Sequence, residues 1–152
     1  MVDVRAKGSS FEIKVRDILR KHTGVKYERA PASGAMGAHL GMKGDLIVPA
    51  STGKLSVYAI ECKSYKDDQL TSNCLYPAEQ TFDSWWEQAS RQAKQMNMKP
   101  CLIFKKNYGK ILIAVDEEIV GVSSYFSLTR PKYKVYIYLL DDVLDKINWI
   151  RE

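Results

Sequence analysis

Long apolar runs are missing from this chain of 152 residues. No stretch approaches the ~18 uninterrupted apolar residues of a membrane-crossing helix, so no membrane span or membrane partner is expected. The opening Met1-Val2-Asp3-Val4-Arg5-Ala6-Lys7 lacks the apolar core of a secretory signal. Cysteine is scarce and odd in number: Cys62, Cys74 and Cys101 stand at spacings that match no zinc pattern, and a reducing cytoplasm suits them. The two histidines, His22 and His39, have no second histidine or cysteine at ligand spacing and read as incidental. There is no Gly-x4-Gly-Lys-[Ser/Thr] loop, and no Gly-x-Gly-x-x-Gly follows a strand, so no nucleotide cofactor is expected. Repeats, low-complexity segments and linkers are absent too. The expectation is one domain over residues 1–152.

What the chain has is an ordinary globular composition, 45% hydrophobic and 27% charged, with a net charge of +5. That balance favours an anionic partner, or is simply that of a basic soluble protein; charge alone leaves both open.

The informative stretch runs from Lys43 to Ser64. Gly44-Asp45-Leu46-Ile47-Val48 and Leu55-Ser56-Val57-Tyr58-Ala59-Ile60-Glu61-Cys62-Lys63 read as two strands joined by a polar turn, a hairpin. Alternation puts Val57, Ala59, Glu61 and Lys63 on one face and Tyr58, Ile60 and Cys62 on the other. A carboxylate and an ammonium thus emerge together at the end of an apolar strand, beside an aspartate from its neighbour. Charge at the edge of a core is costly unless it is paired or binds a metal. Two carboxylates on adjacent strands can hold Mg²⁺, with Mn²⁺ as a substitute, and leave positions for water and a phosphate. The metal would activate a water for phosphodiester cleavage, with Lys63 steering it or stabilising the oxyanion. A local salt-bridge cluster of Asp45, Glu61 and Lys63 is the alternative.

Residues 9–22 read as the first helix, capped by Ser9 or Ser10, with Phe11, Val15, Ile18 and Leu19 as its core stripe. Glu12, at the border of that stripe, is either a first-turn glutamate favoured by the helix dipole or a third acid reaching the metal site. A short strand over residues 26–30 leads into a small-residue loop, residues 31–43, that is expected to be mobile. Residues 64–80 are polar, and Asp67 and Asp68 read as loop or cap residues there. A second helix spans 80–97, with Phe82, Trp85, Trp86, Ala89, Ala93 and Met96 inward. Only one of its adjacent tryptophans is expected in the core, the other at an edge or a dimer contact, or stacked on an unpaired base. A strand over 100–106 completes a β-α-β crossover, followed by a turn at Asn107-Tyr108-Gly109 and strands at 110–115 and 133–140. Lys105, Lys106 and Lys110 gather at that turn, either facing phosphate or solvated. Asp141-Asp142 is expected to cap a short last helix.

Four segments carry a resemblance: Lys7-Gly8-Ser9-Ser10-Phe11-Glu12; Arg29-Ala30-Pro31-Ala32-Ser33-Gly34; Gly44-Asp45-Leu46; and Glu61-Cys62-Lys63. Glu61-Cys62-Lys63 after Asp45 resembles the PD-(D/E)xK nuclease signature. All four, in this order, resemble the archaeal-type Holliday junction resolvases and their viral relatives, over the first half of the chain and in outline beyond. The resemblance implies an α/β fold with a restriction-endonuclease-like core, a central mixed sheet flanked by helices. It implies Asp45, Glu61 and the Cys62 carbonyl as metal ligands, Glu12 at the metal directly or through water, and Lys63 as a catalytic group. Arg29 and Ser33 match residues at the scissile region, and Arg5, Lys7, Lys43 and Lys66 join them as expected DNA contacts. Gln88 or Gln92 matches a glutamine beside the metal. Implied with these are branched DNA as substrate, a homodimer making paired nicks that leave 5′-phosphate and 3′-hydroxyl ends, and action in the cytoplasm, on the nucleoid or on viral DNA in a host cell. A restriction- or repair-type endonuclease acting on duplex DNA and a non-catalytic DNA-binding module on the same fold are the alternatives.

Overall fold

The computed structural model describes residues 4–30 and 45–151, with side chains from Ser9 onward. Ser33, His39 and Lys43, and the loop expected at 31–43, lie outside the described residues. So do the side chains of Arg5 and Lys7.

Helix α1 covers Val4–Thr23, and Phe11, Val15 and Leu19 form its buried face. It begins more than a turn before Ser9, so neither Ser9 nor Ser10 caps it; both sit inside the helix. After Gly24 come β1 (Glu28–Arg29), β2 (Leu46–Ile47), β3 (Leu55–Ser56) and the long β4 (Tyr58–Tyr65). Helix α2 (Thr81–Met96) crosses to β5 (Lys99–Lys106), which lies parallel to β4 from Tyr58↔Lys99 to Tyr65↔Lys106. This is the expected β-α-β crossover. Strands β6 (Leu112–Val115), β7 (Phe126–Arg130) and β8 (Tyr133–Leu139) then add antiparallel pairings, and a short α3 (Leu140–Val143) precedes β9 (Ile150–Arg151). Among the described residues the main sheet has seven strands in the order β1-β2-β4-β5-β6-β8-β7, and β3 pairs with β9 in a small second sheet.

The mixed α/β architecture agrees with the expectation, a large sheet with α1 on one face and α2 on the other. Ile60, Cys62, Cys101 and Ile103 pack with the α1 residues, whereas Leu102, Phe104, Val135 and Ile137 pack with Phe82, Trp85 and Trp86 of α2. β5 is thus covered on both faces, and Cys101–Phe104 reads as a continuous apolar run, as a buried parallel strand does. Pro100 is tolerated in a central strand because β6 joins β5 only from Cys101 onward.

Both tryptophans are core residues, each 4% exposed, which corrects the expectation of one. Successive helical side chains diverge by about 100°, and the sheet beneath α2 is wide enough to receive both. Trp85 meets Tyr65 with ring centroids 4.8 Å apart and Phe104 at 6.2 Å; Trp86 leans the other way onto Tyr133 at 6.0 Å. Burying one such aromatic side chain stabilises by about 1.5–3 kcal/mol. The capping box of Gln80 and Asp83 opens α2, and Asn97 in the left-handed conformation (φ 56°) closes it by donating to the Ala93 and Lys94 carbonyls. At the chain's other end Asp141 and Asp142 occupy the first turn of α3 and do not cap it; Leu139 is the N-cap residue. β7 and β9 have no counterpart in the sequence reading. Among the described residues, no helix is long and apolar enough to cross a membrane.

Candidate active site

β2 and β4 pair at a single position, Leu46 opposite Ile60. Next to it the Asp45 N–H donates to the Ile60 carbonyl at 2.8 Å, and the Asp45 carbonyl accepts from Ala30 N–H at 2.9 Å. Among the described residues the main-chain ladder stops there, and the Asp45 side chain continues it: Oδ2 accepts the Cys62 N–H at 2.7 Å. The N–H and C=O of one strand residue point to the same edge, so the Cys62 carbonyl also faces the Asp45 side. The thiol of Cys62 is buried on the α1 face, and burial pushes its pKa well up, followed by the charges of Asp45, Glu12 and Glu61. An inert thiol leaves the backbone as this residue's chemical contribution.

Glu61 and Lys63 project to the opposite face, as alternation requires. Glu61 is only 2% exposed. Burial raises its pKa strongly, the neighbouring charge of Asp45 raises it further, and Lys63 only partly opposes this. Lys63 Nζ donates to Gln88 Oε1 of α2 at 3.0 Å. Gln92, one turn on, is not in that contact; among the described residues its Oε1 is buried without a hydrogen-bond partner. From the other face, Glu12 of α1 is half-buried and its pKa is raised by burial and by the charge of Asp45. Its Oε2 accepts from Arg29 Nε at 2.9 Å, and Arg29 Nη2 donates to Ser9 Oγ at 3.1 Å.

The structure therefore brings Asp45, Glu61, Cys62, Lys63 and Gln88 together where β4 runs on past β2, with Glu12 and Arg29 beside them. Lys66 is exposed just past the end of β4. Asp68 lies in the loop as expected, its Oδ1 accepting the Leu70 N–H. Ser9, expected as a helix cap, is instead the anchor of Arg29. The signal was the three-residue spacing of Ser9 and Glu12, which sets both on one side of α1.

Two carboxylates and a backbone carbonyl are hard oxygen donors suited to a divalent cation such as Mg²⁺. The fit is electrostatic as well: Glu61 and Asp45 press negative charge together in a buried place, which a cation would relieve. Among the described residues no three His, Cys, Asp or Glu side chains converge as a metal cage. The set fits a two-carboxylate site completed by main chain and solvent, with Glu12 turned to Arg29.

Comparisons with known proteins bear on the chain as a whole. No solved structure matches the chain. It is 48% identical to "Protein D14" of Escherichia phage T5 over 129 residues, 85% of this chain and 81% of that protein. Residues 3–148 match the family described as "Phage putative PDDEXK endonuclease". A match over nearly the whole chain settles its membership: the chain belongs to this phage PDDEXK endonuclease family, and is a nuclease of that kind.

Proposed function

We propose that the chain is a Mg²⁺-dependent, structure-selective DNA endonuclease that resolves four-way junctions, acting as a homodimer to place paired nicks. The observation that carries the metal-dependent chemistry is the pairing of Asp45 with the Cys62 N–H where β4 runs on past β2, next to Glu61 and Lys63. The junction preference rests on the resemblance of the Ser9–Glu12, Arg29–Ser33, Asp45 and Glu61–Lys63 segments to resolvases.

Asp45, Glu61 and the Cys62 carbonyl are the residues that would hold the cation. A bound divalent cation lowers the pKa of a coordinated water and offsets charge on the phosphate. Lys63 keeps two of its three N–H donors beyond the one engaged by Gln88. They are available to orient the attacking water and to stabilise the developing oxyanion. Arg29, held by Glu12 and Ser9, presents a planar guanidinium at the rim, a group suited to phosphate. In-line attack of the water on phosphorus, opposite the 3′ oxygen, forms one P–O bond as the P–O3′ bond breaks. The 3′ oxygen leaves and takes up a proton, which gives 5′-phosphate and 3′-hydroxyl ends. Resolution of a junction needs two opposed cuts, hence two copies of the chain.

The test is cleavage of a labelled four-way junction beside a linear duplex of the same sequence, with Mg²⁺ and with EDTA, by wild type and Glu61→Gln. Symmetric nicks in the junction alone, absent in EDTA and in the variant, are expected. Equal cutting of the linear duplex would replace the resolvase reading by that of a duplex-cutting restriction or repair endonuclease.

A further inference from the structure

The tip of the β5–β6 turn carries a tyrosine. Tyr108 is fully exposed and holds a left-handed backbone, φ 62°. That conformation is uncommon for any residue but glycine and strained for a bulky one, and such strain gathers at functional sites. Nor is the turn loosely attached. Asn107 N–H donates to the Tyr65 carbonyl at 2.8 Å, and Gly109 N–H to the Lys106 carbonyl at 3.0 Å. The first of these bonds prolongs the β4–β5 pairing, so the turn is fixed to the strand that carries Glu61 and Lys63. Tyr65 lies two residues beyond Lys63, about 7 Å along a strand, a span of roughly two stacked nucleotides.

Between this turn and α1 runs a groove of about 400 Å³ lined by Ser10, Phe11, Lys14, Ser64, Lys105, Asn107 and Tyr108. Among the described residues, two lysines and no carboxylate line it. The hollow on the other side of the turn differs, for Asp67 and Asp68 line it together with Lys105, Lys106 and Lys110. A polyanion is therefore favoured on the α1 side. An exposed aromatic ring beside a cationic groove is the pairing that binds single-stranded nucleic acid, where lysines follow the backbone and the ring stacks on a base. A base inside a duplex is already stacked on its neighbours and gains little from the ring.

We propose that this groove takes the DNA strand leaving the cleavage site and that Tyr108 stacks on an unpaired base at the branch. The proposal rests on the nuclease reading and extends it: Tyr108 would supply preference for DNA with an open branch point.

The test uses the full chain carrying Glu61→Gln, with 2-aminopurine placed at each nucleotide beside the branch of a four-way junction and at matching positions in a linear duplex. The parent should quench one branch-point probe and bind the junction more tightly than the duplex. Tyr108→Ala should abolish the quench and weaken junction binding about tenfold, leaving duplex binding unchanged, while Tyr108→Phe retains both. Tyr108→Gly, which removes the ring and relieves the left-handed strain, should lose binding like the alanine variant with its Tm unchanged or raised, so that loss of binding is not loss of fold. Lys14→Ala and Lys105→Ala should each reduce the salt dependence of junction binding by about one counterion. A junction-selective parent indifferent to Tyr108→Ala, or equal weakening on junction and duplex, overturns the assignment of Tyr108. A parent that binds the two DNAs equally overturns the junction reading itself, and this proposal with it.

Discussion

Lys63 Nζ reaches across from β4 to donate to Gln88 Oε1 at 3.0 Å, tying the charged end of the central strand to the middle of α2. The glutamine is a neutral acceptor, so it fixes the direction of the ammonium without cancelling its charge. Gln88→Ala should lower the single-turnover cleavage rate by about 10–100-fold, the cost of losing an outer partner of a metal-site group. DNA affinity measured in Ca²⁺ should stay within about twofold of wild type. A merely structural glutamine would change stability and leave the rate intact.

Asp45 has two tasks that substitution can separate. Asp45→Asn keeps an oxygen able to accept the Cys62 N–H but loses the negative charge. Asp45→Ala loses both and leaves that N–H without its acceptor. Cleavage should vanish in both variants. Thermal denaturation should show Asp45→Ala less stable than Asp45→Asn by about 1 kcal/mol.

Glu61 makes metal-free protein sensitive to alkali. Its folded-state pKa lies above the ordinary carboxylate value because of burial and then of Asp45, so the folded state binds a proton that the unfolded state has released. Stability therefore falls as pH rises above about 4.5 towards the raised folded value. Glu61→Gln should flatten this dependence and, in EDTA at pH 8, stabilise the protein by on the order of 1–3 kcal/mol. Melting curves from pH 5 to pH 9 decide this; a variant as pH-sensitive as wild type would contradict it.

Away from the site, Arg130 of β7 fastens the chain between β4 and α2. It donates to the Cys74, Tyr76 and Ala78 carbonyls and to both oxygens of Asp83. Tyr133 completes the cluster by donating to Asp83. The Arg130 and Asp83 side chains are 6% and 13% exposed, so water screens the pair little. Burial alone would raise the Asp83 pKa, but hydrogen bonds from Arg130, Tyr133 and the Gln80 N–H outweigh it and hold it at about 2. The stabilisation this provides is present above the unfolded value and is lost as pH falls from about 4 towards 2. Arg130→Met should lower Tm by more than about 5 °C at pH 7 and remove that acid-sensitive step.

Periodicity and spacing told most about β4 and the two long helices. The alternation from Tyr58 to Lys63 separated Glu61 and Lys63 from Cys62, and the stripes of α1 and α2 named their buried residues, because one apolar face per element is a local requirement. The Asp45 and Glu61–Lys63 positions were legible since charge at the end of an apolar strand needs a reason. What the sequence alone could not decide depends on contacts distant in the chain. Ser9 resembled a helix cap, and only the approach of β1 made it the support of Arg29, 20 residues away. The two tryptophans competed for one stripe until the width of the sheet gave each its own neighbour. Asp83 and Arg130 are 47 residues apart, and no local pattern joins them. Side-chain type and periodicity singled out the candidate groups. The tertiary structure decided which partner holds each of them, because an ion pair or a buried hydrogen bond forms only where the folded backbone brings donor and acceptor within about 3 Å.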